Sequence, residues 1–181
     1  MTDEQIMLEV KEGNLDLASL IYDRYSKLIY NYFLRLSFNR EISQDLMQTV
    51  FFRMIKYRRS YKPKNNFRSW IFRIARNIFA DHLKSDEAAR SNFVDLEQIN
   101  ASIDSVMDDQ EKAEKIRILQ TALTMIPHGH REILILKGYQ QLKNREIAVL
   151  LNCSENTVKG KVHRAVLSLR KAFFTLEKND Q

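Results

Sequence analysis

Apolar positions recur at steps of three and four through most of this chain, and short polar corners break the runs. That pattern predicts helices and little else. It is clearest near the C-terminus. Asn144 to Leu151 predicts a short helix that presents Ile147, Ala148, Leu150 and Leu151 to a core. Asn152-Cys153-Ser154 forms a corner, with Ser154 as N-cap and Glu155 bringing a carboxylate to the next first turn. Beyond it Val158, Val162, Ala165, Leu169 and Phe173 make one inner stripe, while Lys159, Gly160, Lys161, His163 and Arg164 face outward. This is the layout of a helix-turn-helix, whose second helix enters the major groove by its N-terminal turns. An αα-hairpin with a solvated basic face shares the helix-corner-helix pattern. The basic outer face and the apolar inner stripe together favour the DNA reading.

The same periodicity predicts four helices in the N-terminal half. Thr2 and Gln5 suit a capping box before Ile6, Met7 and Val10. Gly13-Asn14 is expected to stop that helix and to cap a longer one, from about Leu15 to Ser37. Its stripe runs through Leu17, Leu20, Ile21, Tyr25, Leu28, Ile29, Tyr32 and Leu36. A third helix, about Glu41 to Tyr57, places Ile42, Leu46, Val50, Met54 and Tyr57 on one face, away from Asp45, Gln48, Thr49 and Arg53. After a polar loop, Arg59 to Asn66, Asn66 is placed to cap a fourth helix from Phe67 to Lys84. Trp70, Ile71, Ile74, Ile78 and Leu83 are its expected buried side. Arg68, Arg73, Arg76, Asn77 and Lys84 alternate with Phe67, Phe72 and Phe79. Cations beside rings suit single-stranded nucleic acid, whose bases stack on aromatics; for each aromatic, core packing is the competing and favoured reading.

Composition narrows the class. With four Gly and two Pro, the 181 residues lack the punctuation that strands need, so the expected fold is all-α, in two small helical domains. No apolar run is long enough to span a membrane, and the acidic N-terminus MTDEQIMLEV is unlike a signal peptide, so a cytoplasmic protein is expected. A single cysteine excludes an internal disulfide framework and a cysteine-rich zinc site; Cys153 is expected as a small corner hydrophobe.

The net charge of +6 is unevenly spread: residues 1–84 carry +6, residues 85–114 carry −7, and residues 115–181 carry +7. Two basic modules suited to phosphate-rich partners flank an acidic strip. The expected domains are 1–84 and 113–181, with 85–112 as a flexible acidic linker. A helix from Ala113 to Met125 is expected to pack on Ile133, Leu134 and Leu136. His128 and His130 have no carboxylate or thiol at metal-binding spacing, and exposed histidines at a helix start are expected. No phosphate loop or nucleophile pattern supports an enzyme, and no cofactor or metal is expected.

The motifs DLMQTVF (Asp45 to Phe51), FRSWIFRIARN (Phe67 to Asn77), LTMIPHGHREILILKGYQQLKNREIA (Leu123 to Ala148) and the terminal helix-turn-helix stand in one order along nearly the whole chain. Together they closely resemble the extracytoplasmic-function (ECF) class of bacterial sigma factors. The resemblance implies a subunit that gives core RNA polymerase its promoter specificity. It implies that region 2, the N-terminal domain, binds the β′ clamp helices and opens the −10 element. Region 4, the C-terminal domain, is implied to bind the β flap and the −35 element. It further implies an anti-sigma factor as regulator, and a linker that threads the polymerase near the RNA path; a merely solvated tether is the alternative there. A stand-alone helix-turn-helix regulator, binding duplex DNA as a dimer, is the alternative for the whole chain.

Carried over by position, the resemblance assigns Asp45, Gln48, Thr49, Phe52 and Arg53 to the polymerase interface. It assigns Tyr61, Lys62, Lys64, Asn65 and Asn66, with Arg73, Arg76 and Asn77, to the −10 element. Thr157, Lys159, Gly160, Lys161, His163 and Arg164 fall to the −35 element. Two positions depart from the pattern. Gly160 stands where Ser is common, and Lys143 stands where a capping Ser often precedes the helix, so that Asn144 is expected to cap instead.

Overall fold

The structure, a computed structural model, describes residues 1–62, 66–89 and 110–179. The described residues form helices and turns without a strand, as the period-3.6 pattern requires. The N-terminal module contains α1 (Asp3–Glu12), α2 (Ala18–Ser37), α3 (Arg40–Lys56) and α4 (Phe67–Ala89). The C-terminal module contains α5 (Gln110–Met125), α6 (His128–Leu134), α7 (Asn144–Leu151) and α8 (Glu155–Asn179).

Local capping explains most boundaries. The Thr2 hydroxyl accepts from the Gln5 N–H at 3.2 Å, and the Gln5 side chain accepts from the Thr2 N–H at 2.8 Å, completing the expected box. Gly13 ends α1 at φ 118°, a left-handed conformation that a side chain would strain. Asn39 caps α3 through the Ile42 N–H at 3.0 Å, and Asn66 caps α4 through the Ser69 N–H at 3.0 Å.

Several boundaries and faces differ from the sequence expectation. Asn14 makes no side-chain cap; a 3-10 turn, Leu15–Leu17, leads into α2 instead. Leu20, on α2, is exposed; Tyr57 is exposed too, because α3 turns Ser43, Met47, Val50, Phe51 and Met54 inward and so rotates the expected face. Continuing past Lys84 to Ala89, α4 takes up the first residues assigned to the linker, and α5 begins at Gln110 rather than Ala113. The remainder of the acidic strip, 90–109, lies outside the described residues. At α7 the backbone N–H of Lys143 donates to Glu146 Oε2 at 2.7 Å, so the Glu146 carboxylate caps the start and Asn144 does not.

The two modules share one core. Tyr32, Phe72 and Ile78 from the N-terminal module belong to the same buried cluster as Ile133, Leu136, Ile147 and Val158 from the C-terminal one. A smaller cluster of Phe38, Leu123 and Ile126 packs with Leu134, Leu169 and Ala172. Leu123 of α5 thus meets Leu134, as expected, and the helix lies mainly against α8; Ile133 and Leu136, its other expected partners, belong to the shared core instead.

Candidate nucleic-acid interface

The N-terminal end of α8 is built as the helix-turn-helix pattern predicts. Asn152 turns the corner at φ 51°. The Ser154 hydroxyl accepts from the Thr157 N–H at 3.1 Å and lies 2.9 Å from the Thr157 hydroxyl. Val158 and Ala165 are fully buried and fix the rotation of the helix. At about 100° per residue, Gly160 and His163 then lie opposite that buried line, with Lys159 and Arg164 outside them. Thr157 and Lys161 come round toward its edge. All of these are exposed except Gly160, which is half-buried with open space where a Cβ would stand. The arc combines three permanent cations, a histidine and a bare stretch of backbone, a surface suited to a groove walled by phosphates.

The face of α4 is different. Phe67, Phe72 and Phe79 are buried. Phe72 meets Tyr32 edge-on at 5.5 Å, and Phe67 meets Tyr25 edge-on at 5.2 Å. They are core, not a platform for bases, and so is Trp70. Tyr61, assigned to the −10 element, is corrected too: its ring is fully buried, 5.2 Å from Trp70 and 6.0 Å from Phe67. It anchors the loop, helped by the Lys11 ammonium, which donates to its carbonyl at 3.0 Å. Lys62, Asn66 and Asn77 are exposed, and Lys64 and Asn65 lie outside the described residues. Arg73 donates to the Val149 carbonyl at 3.2 Å, and Arg76 donates to Glu132 Oε1 at 3.1 Å. Both acceptors belong to the C-terminal module.

On α3, Asp45, Gln48 and Phe52 are exposed, and Phe52 keeps 65% of its surface in solvent. The Lys56 ammonium lies 5.9 Å from that ring. Thr49 is engaged with its own helix, donating to the Asp45 carbonyl at 2.8 Å, and Arg53 pairs with Asp81 at 3.2 Å. An exposed ring among polar groups is a surface suited to a protein partner.

Sequence reasoning missed the groups that join the modules. Glu132 is 6% exposed and accepts from both Arg76 and the Tyr32 hydroxyl, the latter at 3.1 Å. Burial, reinforced by the Glu132 carboxylate, holds the Tyr32 phenol well above its ordinary value. The Arg131 guanidinium donates to the carbonyls of Leu123, Thr124 and Leu36 and lies 4.7 Å from the Phe38 ring centre. Burial lowers it to about 10, leaving it charged at neutral pH. His128 is half-buried and stacked on Phe79 at 5.4 Å, against the expectation of exposure. Burial lowers its pKa, with Arg131 and Arg76 acting in the same direction and Glu132 opposing. One signal was legible: Glu132 sits among Ile133, Ile135 and Leu136 in a module otherwise rich in cations.

Residues 21–89 match the family model described as Sigma-70 region 2, and residues 116–169 match that described as Sigma-70, region 4. ECF RNA polymerase sigma factor SigW of Bacillus subtilis is 28% identical over 172 residues, spanning 90% of this chain and 92% of that protein. The fold resembles that of CnrH, solved in complex with the cytosolic domain of CnrY (TM-score 0.71, 21% identity, 99% of each chain). It also resembles sigma factor RpoE of Bartonella quintana, solved with the anti-sigma factor NepR. There the TM-score is 0.66 at 19% identity, covering 85% of this chain and 94% of that one.

Proposed function

The chain belongs to the sigma-70 family, in its extracytoplasmic-function class, and from that premise we propose how its two modules share promoter recognition. It is a transcription initiation factor that directs RNA polymerase to particular promoters, a DNA-binding role and not a catalytic one. In our reading α8 enters the major groove of the −35 element. Gly160 and His163 come nearest the base edges, Lys159 reads a base beside them, and Thr157, Lys161 and Arg164 grip the flanking phosphates. The observation that carries this is the exposed basic arc at the start of α8, fixed in rotation by buried Val158 and Ala165.

The N-terminal module captures the opened −10 element with Lys62, Lys64, Asn65, Asn66, Arg73, Arg76 and Asn77. Asparagine amides read an unpaired base edge, and the cations follow its backbone. Tyr61 holds the loop from inside. Asp45, Gln48 and Phe52 form the centre of the polymerase contact, with Thr49 and Arg53 at its margin, and the β flap is the partner of the C-terminal module. An anti-sigma factor is the expected regulator, in keeping with NepR bound to RpoE. The site of action is the cytoplasm, where the polymerase works; no helix among the described residues is long and apolar enough to cross a membrane.

Run-off transcription with core polymerase, with and without the chain, on promoters from its own genome tests this reading. Discrete transcripts that require the chain are expected. Tight sequence-specific binding to duplex DNA by the chain alone, with no effect on polymerase, would instead mark a stand-alone regulator.

A further inference from the structure

The loop assigned to the −10 element is held at both ends by α1. At one end the Lys11 ammonium donates to the Tyr61 carbonyl at 3.0 Å. At the other, the Phe67 N–H donates to Glu4 Oε1 at 3.1 Å. Helix α1 lies ahead of the segment that matches region 2, so that match gives it no part in recognition. Lys11 follows Glu4 by two helical turns, so the two side chains share one face and stand about 10 Å apart along the axis. The extended chain from Tyr61 to Phe67 can reach about 20 Å, so the loop by itself allows many separations of its ends. Helix α1 selects one.

Each contact is supported on both sides. Ile6, Met7 and Val10 are fully buried and fix the rotation of α1. Asp3 ties the helix to α2, accepting from Arg24 at 2.6 Å and from the Tyr25 hydroxyl at 2.6 Å. On the loop side the Tyr61 and Phe67 rings are fully buried and meet edge-on at 6.0 Å. The Phe67 N–H belongs to the first turn of α4, which offers it no acceptor, and the Glu4 carboxylate there also meets the positive end of the helix dipole. Asn66 caps the same turn through the Ser69 N–H, which engages its side-chain oxygen and not its amide nitrogen.

We propose that Glu4 and Lys11 are positioning residues for −10 recognition: they set the separation of the loop ends, and with it the placement of Lys62 and Asn66 against the opened strand. The inference rests on the assignment of this loop to the −10 element. Lys62 follows the residue that Lys11 holds, Asn66 precedes the residue that Glu4 holds, and both are exposed. Neither Glu4 nor Lys11 touches nucleic acid; each acts through the backbone of the loop. An unpaired base is read by hydrogen bonds, whose donors must stand where its edge presents acceptors. A loop whose ends drift keeps its charge and loses its discrimination.

The test uses holoenzyme made with the full chain, each variant first checked for folding by circular dichroism melting. Glu4→Ala with Lys11→Ala removes both contacts; Glu4→Gln with Lys11→Arg keeps an acceptor and a donor. Binding is measured on fork DNA carrying a duplex −35 and a single-stranded −10 element, over panels of single-base changes in each. The alanine pair should lower discrimination among −10 bases about tenfold, with core affinity and −35 discrimination unchanged. The Gln and Arg pair should restore it to within about threefold of the wild type. If the alanine pair melts below the assay temperature, Lys11→Ala alone decides, with a loss of about threefold expected. Unchanged −10 discrimination in folded variants would overturn the proposal. So would an equal fall at both elements and in core affinity, the mark of a purely structural helix. Asn66→Asp keeps the capping oxygen and removes the amide, so it reports on the underlying assignment. Loss of −10 binding in Asn66→Asp, with the alanine pair inert, refutes the role of α1 alone. No effect of Asn66→Asp refutes the assignment of the loop, and the role of α1 with it.

Discussion

The two basic faces of this chain are made of similar residues and stand in opposite states. On α8 the cations are exposed, held outward by a buried stripe. On α4 three arginines are turned into contacts with the other module. A count of positive charge treats the faces alike, yet the arginines of α4 are bonded to the other module and the cations of α8 are turned to solvent. On the proposed reading, duplex −35 DNA meets a face already turned outward, whereas the opened −10 strand must compete with the other module for the α4 arginines.

The comparison is broken most severely by removing what shapes α4. Phe72 is fully buried against Tyr32, and Phe72→Ala should cost ~3–5 kcal/mol by denaturant unfolding. The α8 face is exposed, so substitutions there should leave stability nearly unchanged. A Phe72→Ala cost below about 1 kcal/mol would mean that α4 is not held by that core.

Binding separates the roles within α8. Lys159→Ala should lose ~1–3 kcal/mol of discrimination among single-base −35 variants. Arg164→Ala should weaken all variants alike and lower the salt slope by about one, as expected for a phosphate contact. Holoenzyme binding to a −35 panel at two salt concentrations distinguishes them, and identical profiles would remove the distinction.

A smaller change sharpens the role of bare backbone. Nothing lies within 4 Å of a Cβ built at Gly160, so Gly160→Ala should stabilise α8 by about 0.5–1 kcal/mol. If the backbone closely approaches DNA there, the melting temperature rises while −35 affinity falls. A rise in both would place Gly160 away from the groove wall.

The smallest effect expected is on pH. Burial, with Arg131 and Arg76 acting in the same direction and Glu132 opposing, lowers the His128 pKa in the packed chain, and parting of the modules would return it toward its ordinary 6.5. Packing of the modules is then fully favoured above about 6.5 and weakens as pH falls through the lowered value, because the parted form takes up the proton more readily. Scattering between pH 7.5 and 5.5 should show expansion in the wild type, and less in His128→Phe.

Much of this was legible from local pattern. The capping pairs at Thr2, Asn66 and Ser154 and the stripe through Val158 and Ala165 depend only on near neighbours, and they are as expected. The rotated face of α3 was less legible: Leu46 and Met47 are both apolar, so hydrophobicity alone did not choose between them. The packing between the modules was not legible at all. It depends on pairs such as Tyr32 with Glu132 and Phe79 with His128, far apart in sequence and without a repeating period. The aromatics of α4 show the same gap, since a ring beside an arginine fits either a base or a core.

The most direct test of the whole account is the distance between modules in the free and the promoter-bound chain. Dyes placed at exposed Ser60 and Thr175, with Cys153 replaced by Ser, report it by single-molecule energy transfer. The account predicts high transfer in the free chain and low transfer once core polymerase and promoter DNA have formed the open complex. Equal transfer in the two states would contradict it.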